Sequence, residues 1–212
     1  MPPEPAPSSI RIELRDGRPV LVRPVLSEDR ERLREGLHRL SSISRFRRFG
    51  TSVSDLSDRQ LDYLTHIDHV DHMAWIALDP NAPGTPGLGV ARYVRLEDEP
   101  GVAEAAVVVA DDVQGLGLGT ILLGLLGVSA IDNGIGAFRA YVLVENRLML
   151  GILREMGGTV TLEEPGMYRV DLPLHEDPDE IPDTPTGRVF KAVAKRVIPP
   201  LTVLRRTFPP SH

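Results

Sequence analysis

Three alternating glycines, set between an apolar strand pattern and an apolar helix pattern, constrain this 212-residue chain more than any other feature. The segment 104–120 runs from Glu104 through an apolar stretch into Gln114-Gly-Leu-Gly-Leu-Gly119-Thr120. Loop amides at the start of a helix point the same way and carry partial positive charge, so they bind a diphosphate. Glycine lets the backbone approach the phosphates, because no Cβ stands in the way. The segment therefore predicts a phosphate-binding strand–loop–helix unit.

Two common phosphate-binding loops do not fit this spacing. A Walker A loop requires Gly-Lys-Ser/Thr, and this loop contains no lysine. A dinucleotide fingerprint requires G-x-G-x-x-G, whereas the glycines here stand at positions 115, 117 and 119. A chance glycine turn is the alternative to a binding function.

The patterning along the chain predicts a mixed α/β domain. Short alternating strands form hairpins in the first half, one of them turning at Asp16-Gly17, and one β-α-β crossover passes through the glycine-rich loop. The predicted order is β-β-α-α-β-β-β-α-β-α-β-β. This order favours a three-layer α/β fold, with a central mixed, mostly antiparallel sheet flanked by helices, over a doubly wound dinucleotide fold.

Composition divides the chain into four predicted segments. We expect a disordered N-terminus at 1–9, the folded domain at 10–174, an acidic linker at 175–187 and a basic amphipathic tail at 188–212. From Thr186 onward every charged side chain is basic, after an acidic stretch. The apolar spacing in the tail favours a helix that packs on its own domain or on a second copy. A contact with an anionic membrane surface or an acidic partner is the alternative.

Composition also excludes several classes of function. The chain has no cysteine, which removes disulfides, thiolate metal sites and a cysteinyl acyl-enzyme. A net charge of −6 argues against a nucleic-acid partner, because phosphate contacts require a basic face. No apolar run reaches the ~18 residues that span a bilayer. The N-terminus lacks the pattern of a signal peptide, so a cytoplasmic location is the expectation.

The glycine loop resembles the acetyl-CoA signature of the GNAT superfamily, Gln/Arg-x-x-Gly-x-Gly/Ala, through Gln114, Gly117 and Gly119. Over residues 22–174 the chain is similar to the GNAT domain of bacterial Pat-type protein lysine acetyltransferases. The matches to that domain are Arg23-Pro24 with Asp29, residues 44–49, Ile67-Asp68, 72–74, 89–94 and Ala103-Glu104. Asn146 at the start of a helix and Gly157 at its end are similar to GNAT enzymes in general. One departure is Leu116, where family members usually carry a basic residue.

The resemblance implies a GNAT fold, acetyl-CoA as cosubstrate and no metal. It implies that loop and helix residues hold the diphosphate: Gln114, Gly115, Gly117, Gly119 and Thr120. The backbone N–H of Val107 or Val108 is expected to polarise the thioester carbonyl. Asn146 is expected to contact the pantetheine arm. An ordinary helix N-cap is the plainer interpretation of Asn146, and both can hold.

The resemblance also implies that Glu104 is the general base that takes a proton from the incoming amine. A solvent-facing glutamate at a strand edge is the plainer interpretation. Many GNAT enzymes carry a tyrosine acid at the position that aligns with Leu153, and leucine cannot donate a proton. The CoA thiolate is then expected to leave unaided or to be protonated by water. Without a cysteine to carry the acetyl group, transfer is expected to be direct, in a ternary complex.

Three histidines spaced by three residues, His66, His69 and His72, resemble a metal cluster with Asp68 and Asp71 between them. A strand pattern begins at Met73, so the spacing does not place the histidines on one continuous helix face. We therefore predict a structural role or a place at the lip of the substrate site.

Three functions fit these patterns. The first, which the resemblance to Pat-type enzymes favours, is acetylation of a protein lysine, and the resemblance implies an acyl- or acetyl-CoA synthetase as the acceptor. The second is acetylation of a small-molecule amine on the same scaffold. The third is a non-catalytic CoA-binding regulator or scaffold that recruits a partner through its tail. A homodimer is compatible with each of them.

Overall fold

The computed structural model describes residues 9–49, 55–82 and 84–195, without the side chains of 46–49. Its centre is an eight-stranded sheet with the strand order β1-β2-β3-β4-β5-β6-β8-β7. Neighbouring strands are antiparallel except β5 and β6, which are parallel. The strands are β1 (Ile10–Glu13), β2 (Pro19–Pro24), β3 (His72–Leu78), β4 (Gly89–Arg95), β5 (Val102–Val109), β6 (Ala137–Leu143), β7 (Thr159–Glu164) and β8 (Met167–Pro173).

Helices cover both faces of the sheet. The α-helices are α1 (Arg30–Arg39), α2 (Ser42–Phe49), α3 (Asp58–Thr65), α4 (Leu118–Asp132), α5 (Arg147–Glu155) and α6 (Pro185–Ala194). Helices α1 and α3 bury leucines against one face of the central strands. Helices α4, α5 and α6 contribute to the larger core on the other face. The predicted layered arrangement around a mixed, mostly antiparallel sheet is confirmed.

The β1–β2 hairpin follows from its sequence pattern. Apolar side chains alternate with polar ones, so that Ile12, Leu14, Val20 and Val22 are buried. Gly17 has φ +90°, a backbone conformation that glycine adopts without steric cost. The hairpin therefore turns at the predicted place, and its loop is the segment 14–18.

Helix α2 is the main difference from the predicted order, which has two helices between β2 and β3 where the structure has three. Leu40 leaves the helical conformation with ψ 139°, and α2 begins two residues later. Ser41 N–H donates to Asp111 Oδ2 (2.6 Å), and the Ser44 hydroxyl donates to Asp111 Oδ1 (2.5 Å). The break depends on a carboxylate far along the chain, which local patterning does not reveal.

The predicted start of α3 is confirmed. The Ser57 side chain accepts a hydrogen bond from Gln60 N–H, and the Gln60 side chain accepts one from Ser57 N–H (2.9 Å). This reciprocal capping box satisfies amides that the first helical turn leaves without intrahelical partners. It fixes the position at which α3 packs its leucines onto α1.

The C-terminal region continues to pack on the domain beyond residue 174. A 3-10 turn at Pro178–Glu180 leads to α6, whose Val189, Phe190 and Val193 are buried in the main core. The described part of the predicted tail, 188–195, thus lies within and just after a helix that packs on its own domain. Residues 1–8 and 196–212 lie outside the described residues, so the predicted N-terminal disorder and the contacts of the distal tail stay predictions.

Helix α6 packs closely on α4 where Gly124 faces Val193. A Cβ at Gly124 would lie 3.2 Å from Val193 Cγ2. We expect Gly124→Leu to lower the free energy of unfolding by about 1–3 kcal/mol, because the added side chain overfills this contact. Urea unfolding of the two proteins measures the difference.

Gly151 in α5 offers a matched control for this substitution. Apart from its two chain neighbours and the nearby backbone of α5 itself, no described residue places an atom within 4 Å of a Cβ at this helical position. Gly151→Leu is expected to leave stability unchanged or slightly raised, because leucine has the higher helix propensity. Equal unfolding midpoints for the two variants would contradict the packing of α6 on α4.

Within the described residues, no helix has the length and apolar character needed to cross a membrane.

Candidate active site

The sheet splits between β5 and β6. These strands pair only over residues 102–104 with 137–139, whereas β5 stays paired with β4 as far as Val109. Beyond Glu104 the two strands therefore diverge and leave a gap in the middle of the sheet. This divergence is what positions the candidate site.

The hydrogen-bond pattern decides which amides of β5 face the gap. Leu96 N–H donates to the Val102 carbonyl oxygen, and Ala110 N–H donates to the Leu88 carbonyl oxygen, both at 2.9 Å. Even-numbered residues of β5 thus bond to β4, and N–H groups alternate sides along a strand. Val107 N–H therefore points to the β6 side, into the gap, and Val108 N–H points to β4.

The glycine loop follows β5 through a short 3-10 turn at Asp111–Val113. Gly115 and Gly117 have φ values of +73° and +94°, and Gly117 is the N-cap of α4. Residues with a Cβ rarely adopt these positive φ values, so the two glycines allow the tight turn. The loop consequently delivers its amides to the N-terminal end of α4.

The side chain of Gln114 connects the loop to neighbouring elements through hydrogen bonds. Its Nε2 donates to the Val109 carbonyl oxygen (3.1 Å), to Asp111 Oδ1 (2.9 Å) and to the Ser44 hydroxyl (3.2 Å). In this structure the amide nitrogen therefore holds the end of β5, the loop and α2 together. The resemblance implied cofactor binding for Gln114; the structure adds a positioning role for the same side chain.

A cleft of about 680 Å³ joins the gap in the sheet to the space between α4 and α5. Its volume lies in the range typical of small-molecule sites, about 300–1,000 Å³. All nine predicted site residues line it: Glu104, Val107, Val108, Gln114, Gly115, Gly117, Gly119, Thr120 and Asn146. The structure thus brings together residues from three separate elements, while their individual roles stay predictions.

Asn146 begins α5 at the wall of the cleft. Its side chain accepts a hydrogen bond from Met149 N–H at 3.3 Å, which makes it the N-cap of α5. It lines the cleft as well. Both interpretations of this residue therefore fit the same position.

Glu104 stands at the point where the strands part. Its neighbours in register are Val94 on β4 and Arg139 on β6. Arg139 is engaged with Asp171 (2.8 Å) and Glu99 (2.6 Å). Glu104 itself is exposed, as the plainer interpretation expects, and it lines the cleft, as the catalytic one requires.

Sequence reasoning missed several residues of the cleft, among them Arg15, Tyr141, Glu155 and Thr186. Thr186 donates to Glu155 Oε2 (2.6 Å), which joins the start of α6 to the end of α5. No local pattern marks these positions as functional, because each reaches the cleft through tertiary packing. Alternation on β6 sets Tyr141 on the opposite face from buried Phe138 and Val142, but it does not mark the residue as functional.

The histidine segment forms a turn around Asp68. Asp68 Oδ1 accepts hydrogen bonds from the N–H groups of Val70, Asp71 and His72, each at 2.9 Å. Arg92 Nη1 donates to His72 Nε2 (2.7 Å). Burial, together with the Arg92 charge, lowers the pKa of His72 to about 4, so this side chain is neutral at pH 7. In the described ranges no group of three or more His, Cys, Asp or Glu side chains forms a cluster suited to a metal ion.

Several known proteins are similar to this chain in sequence or in fold. No protein-family model matches the chain. Acetyltransferase PA5475 of Pseudomonas aeruginosa is 38% identical over 144 residues, which cover 68% of this chain and 77% of that protein. Acetyltransferase Pat of Mycolicibacterium smegmatis is 36% identical over 195 residues, 88% of this chain but 57% of the relative. The chain thus spans little more than half the length of the mycolicibacterial relative.

Solved structures agree with these relatives. The crystal structure of the GNAT domain of S. lividans PAT matches with a TM-score of 0.71 and 30% identity, over 78% of this chain and 97% of that one. A Salmonella typhimurium protein solved with its cofactor acetyl-CoA matches over 77% of this chain and 98% of that one, with a TM-score of 0.55. At 19% identity, that second match shows the fold alone. Together these likenesses establish that the chain belongs to the GNAT family of acetyltransferases and resembles the catalytic domain of Pat.

Proposed function

We propose that this protein transfers an acetyl group from acetyl-CoA to an amine by direct attack in a ternary complex. The observation that carries the proposal is the gap between β5 and β6, which has Glu104 at its closed end and the glycine loop beyond its open end. We place the reaction in the cytoplasm, where acetyl-CoA is available.

The cofactor-binding residues fit the chemistry of CoA. Loop amides at 114–119 and the N-terminal end of α4 offer hydrogen-bond donors and partial positive charge to a diphosphate. Val107 N–H faces the gap whereas Val108 N–H faces β4, which supports Val107 as the donor to the thioester carbonyl. Such a donor stabilises the negative charge that develops on the carbonyl oxygen during attack. Acetyl-CoA supplies the activated acyl group.

Glu104 supplies the base. An amine attacks a thioester only in its neutral form, so a carboxylate near the acceptor must take the proton of the ammonium. Exposure of Glu104 at the strand split leaves its carboxylate accessible to an incoming amine, directly or through water. Leu153, buried on α5, offers no proton to the departing thiolate, which leaves unaided or takes a proton from water.

We further propose that the acceptor is a protein lysine, for example in an acyl- or acetyl-CoA synthetase. Support comes from the resemblance to Pat-type catalytic domains and from the exposure of Glu104 and Tyr141, which both line the cleft. An exposed base suits a lysine presented on a large partner.

Incubation of the purified protein with acetyl-CoA and an acetyl-CoA synthetase tests the proposal. We expect intact-mass spectrometry to show an increase of one acetyl group on the synthetase, and peptide mapping to place it on a lysine. Turnover on a panel of small amines without synthetase acetylation would favour the small-molecule function. CoA binding by calorimetry without any turnover would favour a non-catalytic CoA-binding role.

A further inference from the structure

The glycine loop contains no cation of its own. Residues 111–120 hold two aspartates and no lysine or arginine, although the proposed ligand carries several phosphate charges. The aspartates are already engaged within the protein. Asp111 accepts hydrogen bonds from Ser41 and Ser44, and Asp112 pairs with Arg39 (3.1 Å) and Arg18 (3.5 Å).

The turn of the β1–β2 hairpin is docked against this loop. Arg15 N–H donates to the Leu116 carbonyl oxygen (3.4 Å), and Arg18 Nη2 donates to the Asp112 carbonyl oxygen (2.7 Å). Leu14 is 1% exposed and belongs to the core cluster on which Leu116 also packs. Two backbone carbonyls and a shared core therefore fix the turn beside the glycine loop.

This docking delivers the Arg15 side chain to the cleft. Its Nε lies 3.9 Å from the place that a Cβ on Gly117 would occupy, next to the N-cap of α4. Arg15 lines the cleft together with Gln114, Gly115 and Gly117. Partial burial lowers the pKa of its guanidinium from the usual value, which still leaves the group charged at pH 7. A bound anion would offset the cost of that burial.

We propose that Arg15 binds a phosphate group of CoA, so that the β1–β2 turn supplies the cation that the glycine loop lacks. The inference rests on the proposed use of acetyl-CoA and assigns a further cofactor-binding residue to that site. The guanidinium offers several N–H donors in a planar fork, which matches the geometry of phosphoryl oxygens. Loop amides and guanidinium then contact the same CoA molecule from two separate elements.

Calorimetric titration of CoA into the wild-type protein, Arg15→Gln and Arg15→Lys tests this role. We expect Arg15→Gln to weaken CoA binding about 10- to 100-fold, the usual effect of losing a charge-assisted hydrogen bond. Arg15→Lys keeps the charge and is expected to recover part of the loss. Dephospho-CoA lacks the 3′-phosphate and so distinguishes the two kinds of phosphate. If Arg15→Gln weakens the binding of dephospho-CoA as much as that of CoA, Arg15 contacts the diphosphate. If the substitution no longer weakens binding, Arg15 contacts the 3′-phosphate.

Arg11→Gln is the matched control, because it removes the same charge from an exposed position on β1 of the same hairpin. We expect its CoA affinity to equal that of the wild type. Equal affinities of Arg15→Gln, Arg11→Gln and wild type would overturn this inference and leave the proposed function standing. No CoA binding by folded wild-type protein would overturn the proposed function and the inference with it.

Discussion

Glu104→Gln is expected to lower kcat by about 10²- to 10⁴-fold, the range typical of losing a general base. Glutamine keeps the size of the side chain but cannot accept the proton of the ammonium. The KM for acetyl-CoA is expected to change little, since Glu104 lies at the closed end of the gap, away from the glycine loop. Steady-state kinetics with varied acetyl-CoA measures both parameters.

Glu97→Gln is the matched control for this experiment. Glu97 is an exposed glutamate in the loop between β4 and β5, and it does not line the cleft. Its substitution removes the same charge and is expected to leave kcat unchanged. A Glu104→Gln protein that kept the wild-type kcat would remove the base assignment, while a fall in both variants would indicate a general electrostatic effect.

Asp29→Asn is expected to lower the free energy of unfolding at pH 7 by about 3–5 kcal/mol, the usual cost of breaking a buried ion pair. Asp29 is fully buried at the start of α1. Its carboxylate accepts two hydrogen bonds from Arg23 (2.6 and 2.7 Å), one from Leu26 N–H (2.9 Å) and one from Arg32 (3.0 Å). Asparagine leaves Arg23, whose side chain is only 12% exposed, without its counter-charge.

The destabilisation by Asp29→Asn is expected to depend on pH. Burial alone would raise the pKa of Asp29, but the hydrogen bonds and charge of Arg23, the Leu26 amide and Arg32 lower it below its usual value. A carboxyl whose pKa is lower in the folded state contributes stability above its unfolded pKa of about 3.9 and loses it as pH falls through the folded pKa. The difference between wild type and variant should therefore be constant near neutral pH and shrink below about pH 4.

Urea unfolding at several pH values checks this expectation, with Glu28→Gln as the control. Glu28 neighbours Asp29 on the same 3-10 turn and is exposed, so its substitution is expected to change stability little. The role of the buried carboxylate would be contradicted if the loss of unfolding free energy in Asp29→Asn grew as the pH fell. It would also be contradicted if that loss were no larger than in Glu28→Gln.

Much of the fold was predictable because its signals are local. The alternation of apolar and polar residues predicted the hairpin of β1 and β2, and the Ser57–Gln60 pair predicted the start of α3. The order of the remaining elements followed from periodicity and from glycine positions. The break between α1 and α2 was missed, since it depends on Asp111, a residue from another part of the chain.

The sequence by itself determined the position of the glycine loop between a strand and a helix, and with it the family that the chain resembles. Glycine backbone freedom and strand or helix periodicity are properties of neighbouring residues, so the sequence states them directly. Only the tertiary structure decided that β5 parts from β6 after Glu104, that the amide of Val107 rather than of Val108 faces the gap, and that Arg15 stands beside the loop. Each of these depends on pairing and packing between distant segments, which local sequence does not specify.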